Sequence, residues 1–129
     1  MILKVDDMEL SLEYTVEAQK KFEERFGEGK EAFEKLMDTT EQKELSRNMI
    51  YMGTHMLNAS NHRKKVRAKM VGQDCDVPED ITEEEFSALI PPGIMPKLIE
   101  TVMQAILEGT KQNIEVKPSK KNGRATQSE

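Results

Sequence analysis

The chain has 129 residues, of which 33% are charged and 36% hydrophobic, and its formal net charge at pH 7 is −5. This length suits one domain with a modest core, and the polar composition favours burial of some apolar surface against a partner or a second copy. The lone Cys75 excludes an internal disulfide and fits a reducing cytoplasm. No signal-peptide pattern and no apolar window near the ~20 residues of a membrane span is present, so neither secretion nor a membrane is expected.

The sequence LKVDDMELSLEY, from Leu3 to Tyr14, alternates apolar and polar residues on both sides of the pair Asp6-Asp7. A period of two is typical of half-buried strands, and an Asp pair suits a tight turn. An N-terminal β-hairpin is therefore predicted. Because a lone hairpin is marginal in water, we expect it to pack on helices or to pair with another strand.

Two helices are predicted after the hairpin. Thr15 caps the first, which runs to about Phe26 and carries Ala18, Phe22 and Phe26 at i+4 spacing. Gly27 and Gly29 end it. The stretch KEAFEKLMD, residues 30–38, predicts a second, short helix.

A third helix is predicted from Thr39, where Gln42 completes a capping box three residues later. Apolar side chains then recur three or four residues apart, which is the period of a helix face. The pattern continues through a basic stretch to Val71, and Gly72 predicts the end of the helix. The stripe comprises Leu45, Met49, Met52, Met56, Ala59, Val66 and Met70.

Two further helices complete the prediction. Thr82 and Glu85 form a second capping box, with Ile81 and Phe86 at the positions of a hydrophobic staple. Pro91-Pro92-Gly93 ends that helix, and Pro96 opens the last one, which is expected to stop before Gly109.

These elements predict a mainly α fold with a small N-terminal β-hairpin (α+β) and about four to five helices. Residues 1–109 are expected to form a single helical domain. Residues 110–129 are polar and aperiodic, and we predict that they form a disordered tail.

The sequence HRKKVRAK, residues 62–69, is the most basic stretch of the chain. Clustered cations of this kind bind nucleic-acid phosphates, although no aromatic residues are interleaved here for base stacking. The region 74–85 carries seven acids and could fold back on the basic stretch, or a second copy's acids could pair with it. Pairing with acids is the favoured interpretation, and nucleic-acid contact is the alternative. The cations concerned are Arg63, Lys64, Lys65, Arg67 and Lys69.

The sequence offers no pattern for catalysis or metal binding. The acidic run from Asp74 has Glu79 where a calcium loop needs glycine. His55, His62 and Cys75 do not form the paired spacings of a zinc site, and no catalytic triad or carboxylate pair can be assembled. We therefore expect a protein without cofactor or metal that is not an enzyme.

Nine methionines leave two interpretations open. They can fill a helical core, or they can form an adaptable surface that binds apolar protein segments. On the second interpretation, the candidate partner-binding residues are Leu45, Met49, Met52 and Met56.

The order of elements resembles the tail assembly chaperones of long-tailed bacteriophages and prophages. The resemblance lies in LKVDDMELSLEYTVEAQKKFEERFG, in ITEEEFSALI followed by MPKLIETVMQAILEG, and in the polar, lysine-containing end. It covers most of residues 1–109.

This resemblance implies a small, helical, cytoplasmic protein that covers apolar helical segments of a tape-measure protein and keeps them soluble during tail assembly. Tape-measure and other tail proteins are the implied partners, and the alternating charge blocks also suit a homo-oligomer. The alternative function is a small nucleic-acid-binding regulator that uses residues 63–69.

Overall fold

The computed structural model describes residues 1–38 and 41–111, and the fold class is the predicted one, mainly helical with an N-terminal hairpin. Most of the predicted tail lies outside these residues. The described elements are β1 (Ile2–Val5), β2 (Met8–Ser11), α1 (Val16–Phe26), α2 (Lys30–Leu36), α3 (Gln42–Met70), α4 (Glu83–Leu89), a 3₁₀ turn (Pro92–Ile94) and α5 (Met95–Thr110).

The hairpin confirms the alternation of the first residues. β1 and β2 are antiparallel, with Val5 opposite Met8, and Asp6 takes a left-handed φ of 55° in the turn. Asp tolerates this conformation better than most residues because its short side chain can bond locally. Leu3, Val5, Leu10 and Leu12 are buried against the helices, which supply the stability that an isolated hairpin lacks.

α1 and α2 form a short helical pair that packs on α3. The Thr15 hydroxyl accepts a hydrogen bond from the Ala18 amide at 3.4 Å, so Thr15 is the N-cap that the sequence predicts. The predicted row of Ala18, Phe22 and Phe26 is buried. Gly27 ends α1 at a φ of 88°, which favours glycine.

The start of α3 differs from the prediction. The helix begins at Gln42 with Glu41 as its N-cap, and the Glu41 side chain forms no capping hydrogen bond. The capping box predicted at Thr39 is therefore not the cap of this helix, and Thr39 itself lies outside the described residues. Local pattern alone placed the boundary too early, which is a common error at helix ends.

The end of α3 is the predicted one and has a clear structural cause. Gly72 takes a φ of 73°, its amide donates to the Lys69 carbonyl at 3.1 Å, and the Gln73 amide donates to the Ala68 carbonyl at 2.8 Å. These two bonds are a Schellman motif, which satisfies the last carbonyls of a helix and turns the chain. The helix therefore includes the whole basic stretch.

Residues 73–82, called the return segment here, run back along α3 without regular secondary structure. The Asn58 side chain fixes them: its Nδ2 donates to the Ile81 carbonyl, and the Ile81 amide donates to its Oδ1, both at 3.0 Å. α4 then starts at the predicted capping box, in which the Glu85 amide and the Thr82 hydroxyl lie 3.1 Å apart.

α5 extends past its predicted end. The helix includes Gly109 and Thr110, so Gly109 does not stop it and residue 110 is not the first residue of a tail. A Cβ on Gly109 would lie 2.3 Å from the Tyr14 carbonyl oxygen. This glycine therefore allows α5 to approach the end of the hairpin closely, a role that the sequence pattern did not indicate.

The core lies where α3 crosses the other elements. Gly53 of α3 gives room for the buried Phe86 of α4, since a Cβ there would lie 2.6 Å from the phenyl ring.

In the described part of the chain, no helix is both long enough and apolar enough to cross a membrane.

Candidate functional site

The methionine stripe lies in the core and not on the surface. Met49, Met52 and Met56 are each 0% exposed, and Leu45 is partly buried against the same core. In this structure the three methionines fill the helical core. A partner could reach them only if the helices separated, so the predicted partner-binding surface needs another location.

An open groove lies beside the stripe, between the first turns of α3, α4 and the start of α5. Its volume is about 720 Å³, which lies within the usual range for binding pockets. The apolar part of its lining comprises Ile50, Ile90, Pro92 and Met95. Ile50 lies on α3 next to the methionine stripe and is only partly buried. The apolar face of α3 therefore extends from the buried methionines into the groove.

The two rims of the groove carry opposite charges. The cations Arg25, Lys43 and Arg47 belong to α1 and α3, and the acids Glu83 and Glu84 belong to α4. An apolar floor between cationic and acidic rims matches an amphipathic segment that presents one apolar face and charged flanks.

Arg25 is held in place by contacts with α3. Its guanidinium donates to the Oδ1 of Asn48 at 3.4 Å and lies 4.8 Å from the ring centroid of Tyr51. Asn48 is 6% exposed and also donates to the Lys35 carbonyl at 3.3 Å, while the Tyr51 hydroxyl donates to the Lys21 carbonyl at 2.6 Å. These bonds tie α1 and α2 to α3 and position this rim of the groove.

The basic stretch forms the exposed last turns of α3, as predicted. Arg63 forms an ion pair with Glu13 from the segment after β2, and the Ser60 hydroxyl also bonds Glu13 at 2.8 Å. Burial is the largest single influence on Glu13 and acts to raise its pKa, but the bonds from Ser60 and Arg63 and the Arg63 charge outweigh it, so the pKa is lowered. One of the five cations is therefore structural.

The other four cations, Lys64, Lys65, Arg67 and Lys69, form no ion pair with any residue in the ranges 1–38 and 41–111. The return segment does fold back along the helix, which is one of the two arrangements predicted for the acidic region. Its direct ionic contact with the basic stretch is between Asp80 and His62. The other acids of the return segment and these four cations therefore form no ion pair with each other.

His62 connects three elements. Its Nδ1 lies 2.8 Å from a Glu17 oxygen, and its Nε2 lies 2.6 Å from an Asp80 oxygen. The hydrogen bond with Glu17, followed by that with Asp80, raises the pKa of His62. The two ring nitrogens point in different directions, so Glu17 and Asp80 each bond one nitrogen of the imidazole. The two carboxylates and the imidazole therefore do not converge on one point where a ligand could bind.

His55 and Cys75 do not join this cluster. His55 packs edge-to-face against Tyr51 with 4.5 Å between ring centroids, and burial, followed by the charge of Lys21, lowers its pKa. Cys75 is partly buried in the return segment. Within residues 1–38 and 41–111, no group of three or more His, Cys, Asp or Glu side chains is arranged to hold a metal ion.

The groove was not identified from the sequence. Its lining combines residues from α1, the start of α3, α4 and the connection to α5, and no local pattern relates such distant positions. The one usable signal was Ile50, which lies beside the methionine stripe on the helical wheel but outside its inner row.

Comparison of the chain with models of protein families, with curated proteins and with solved structures found no match.

Proposed function

We propose that this protein is a tail assembly chaperone of a long-tailed bacteriophage or prophage, which binds apolar helical segments of a tape-measure protein in the host cytoplasm. The sequence resemblance motivates the proposal. The observation that carries it is the open groove beside the core, with its apolar floor and its oppositely charged rims.

The binding mechanism follows from the lining of the groove. The apolar face of a helical segment lies against Ile50, Ile90 and Met95, where burial of each large side chain contributes roughly 1.5–3 kcal/mol. Charged residues flanking that face pair with the two rims, and these exposed pairs add little affinity but orient the segment. Because the groove is open, binding is reversible, and the charged exterior keeps the complex in solution.

The test uses a charge placed inside the groove and the same charge placed outside it. Ser87 and Ala88 are adjacent, exposed residues of α4, but only Ser87 lines the groove. We expect co-expression with a tape-measure protein to keep that protein soluble, Ser87→Arg to abolish this effect, and Ala88→Arg to preserve it. If the wild-type chain leaves the solubility of the tape-measure protein unchanged, the proposal is wrong.

A second candidate function is nucleic-acid binding through the end of α3. The observation in its favour is that four cations there have no ionic partner within residues 1–38 and 41–111. The acidic return segment beside them opposes it, because it repels phosphates. A salt-dependent gel shift on mixed-sequence DNA or RNA, lost on replacing Lys64, Lys65 and Arg67 together, distinguishes this function from the chaperone.

A further inference from the structure

The last two turns of α3 together with the return segment are called the projection here. Its helical part carries a basic strip, defined as Lys64, Lys65, Arg67 and Lys69. All four side chains belong to exposed residues in the last two turns of the helix. None has a carboxylate within ion-pair distance in the described ranges. By contrast, Arg63 and His62 in the turn before them are both paired.

The return segment carries a matching acidic strip, whose members are Asp74, Asp76 and Glu79. All three residues are exposed, and none forms an ion pair with any part of the chain that the structure describes. Asp80 is excluded from this strip because it bonds His62. The same projection therefore presents two strips of opposite charge, both unsatisfied.

Large apolar side chains are exposed between these charges. Val66 is 56% exposed, Met70 79% and Val71 68%, and all three lie within the last two turns of α3 or at its C-cap. Val16, which is 66% exposed, lines a shallow, mostly apolar depression with Val66. Core packing does not account for apolar groups at these positions, and clustering of this kind is typical of a surface that contacts protein.

We propose that this projection is a self-association surface, and that its occupant is the projection of a second copy of this chain. In a two-fold arrangement, the basic strip of each copy lies against the acidic strip of the other, and Val66, Met70 and Val71 of both copies are buried between them. A two-fold interface needs a self-complementary surface, and a projection with both signs of charge provides one. A nucleic-acid backbone satisfies only the basic strip and is repelled by the acidic one.

The first test is the mass of the full chain in solution, by light scattering after size exclusion, at low salt and at about 0.5 M salt. Salt of this concentration screens exposed ion pairs, so the dimer is expected at low salt and should weaken as salt is added. Lys64→Glu with Arg67→Glu is expected to raise the dimer dissociation constant about tenfold or more, since symmetry makes each substitution count twice. The control, Lys20→Glu with Lys30→Glu, makes the same change in net charge at exposed lysines elsewhere and should leave the dimer intact.

The second test restores the interface with exchanged charges. Asp74→Lys with Asp76→Lys is expected to weaken self-association alone, and mixing it with the Lys64→Glu, Arg67→Glu variant should produce a heterodimer. A wild-type chain that stays monomeric at low salt overturns the proposal, as does equal dissociation of the Lys20 and Lys30 control. Monomers that bind mixed-sequence DNA through the basic strip also overturn it. These results are independent of the groove variants that test the chaperone function.

Discussion

Asn58 offers a direct test of how the return segment is held. Its side chain replaces a strand partner for Ile81, accepting from the amide and donating to the carbonyl at 3.0 Å each. We predict that Asn58→Ala releases the segment while leaving α3 helical, because alanine is the best helix former and the lost contacts all belong to the side chain.

The size of the effect follows from the two bonds. Each hydrogen bond contributes a net of roughly 0.5–1.5 kcal/mol, so their removal should cost about 1–3 kcal/mol in the free energy of unfolding. Asn58 is 9% exposed, but Ile81 is only partly buried, so water can reach its amide and carbonyl once the segment loosens. We therefore expect a loss of about 1–2 kcal/mol, in the lower part of that range.

Urea unfolding measures the free energy, and hydrogen exchange measures the Ile81 amide directly. Asn61 is the matched control, since it lies on the same helix and its side chain forms no hydrogen bond with the described residues. Asn58→Ala should lower the stability and remove protection at Ile81, whereas Asn61→Ala should do neither. If the two variants have equal stability, Asn58 does not hold the return segment and the reasoning fails.

Two further predictions concern packing and pH. Gly53→Ala places a Cβ 2.6 Å from the buried Phe86 ring, so overpacking of roughly 1–3 kcal/mol should exceed the helix-propensity gain of about 1 kcal/mol. Urea unfolding should show a net loss in the free energy of unfolding, in the upper part of the difference between these two terms. Gly93→Ala is the control, because a Cβ there meets no atom within 4 Å. An unchanged free energy of unfolding for Gly53→Ala contradicts the prediction. The raised pKa of His62 stabilises the fold fully below pH 6.5, and that stabilisation is lost as pH rises through the folded-state pKa. Urea midpoints from pH 6.5 to about pH 8 should therefore fall for the wild type but not for His62→Gln, and equal slopes would exclude this role for His62.

The accuracy of the sequence predictions depended on the range of the interactions involved. The capping box at Thr82, the stop at Gly72 and the hairpin turn at Asp6 all depend on residues that are neighbours in the chain, and each is present. The start of α3 and the role of Gly109 were wrong. Gly109 is constrained by Tyr14, a residue that is distant in sequence and close only in the folded chain.

The candidate sites show the same dependence. Periodicity correctly placed Met49, Met52 and Met56 on one helix face, but a stripe of that kind looks the same whether a core or a partner covers it. Only the packing of α3 against its neighbours shows that these methionines are buried, and only that packing creates the groove next to Ile50.

The sequence by itself determined the elements, their order and the oppositely charged blocks, because propensity, capping and charge are properties of short stretches. The tertiary structure decided which charges are paired. Arg63 and Lys64 are adjacent, exposed cations of one basic run, yet the approach of the segment after β2 pairs Arg63 with the Glu13 carboxylate and leaves Lys64 without an ion pair among the described residues. Ion pairing depends on distances of a few ångströms between remote residues, and those distances exist only in the fold.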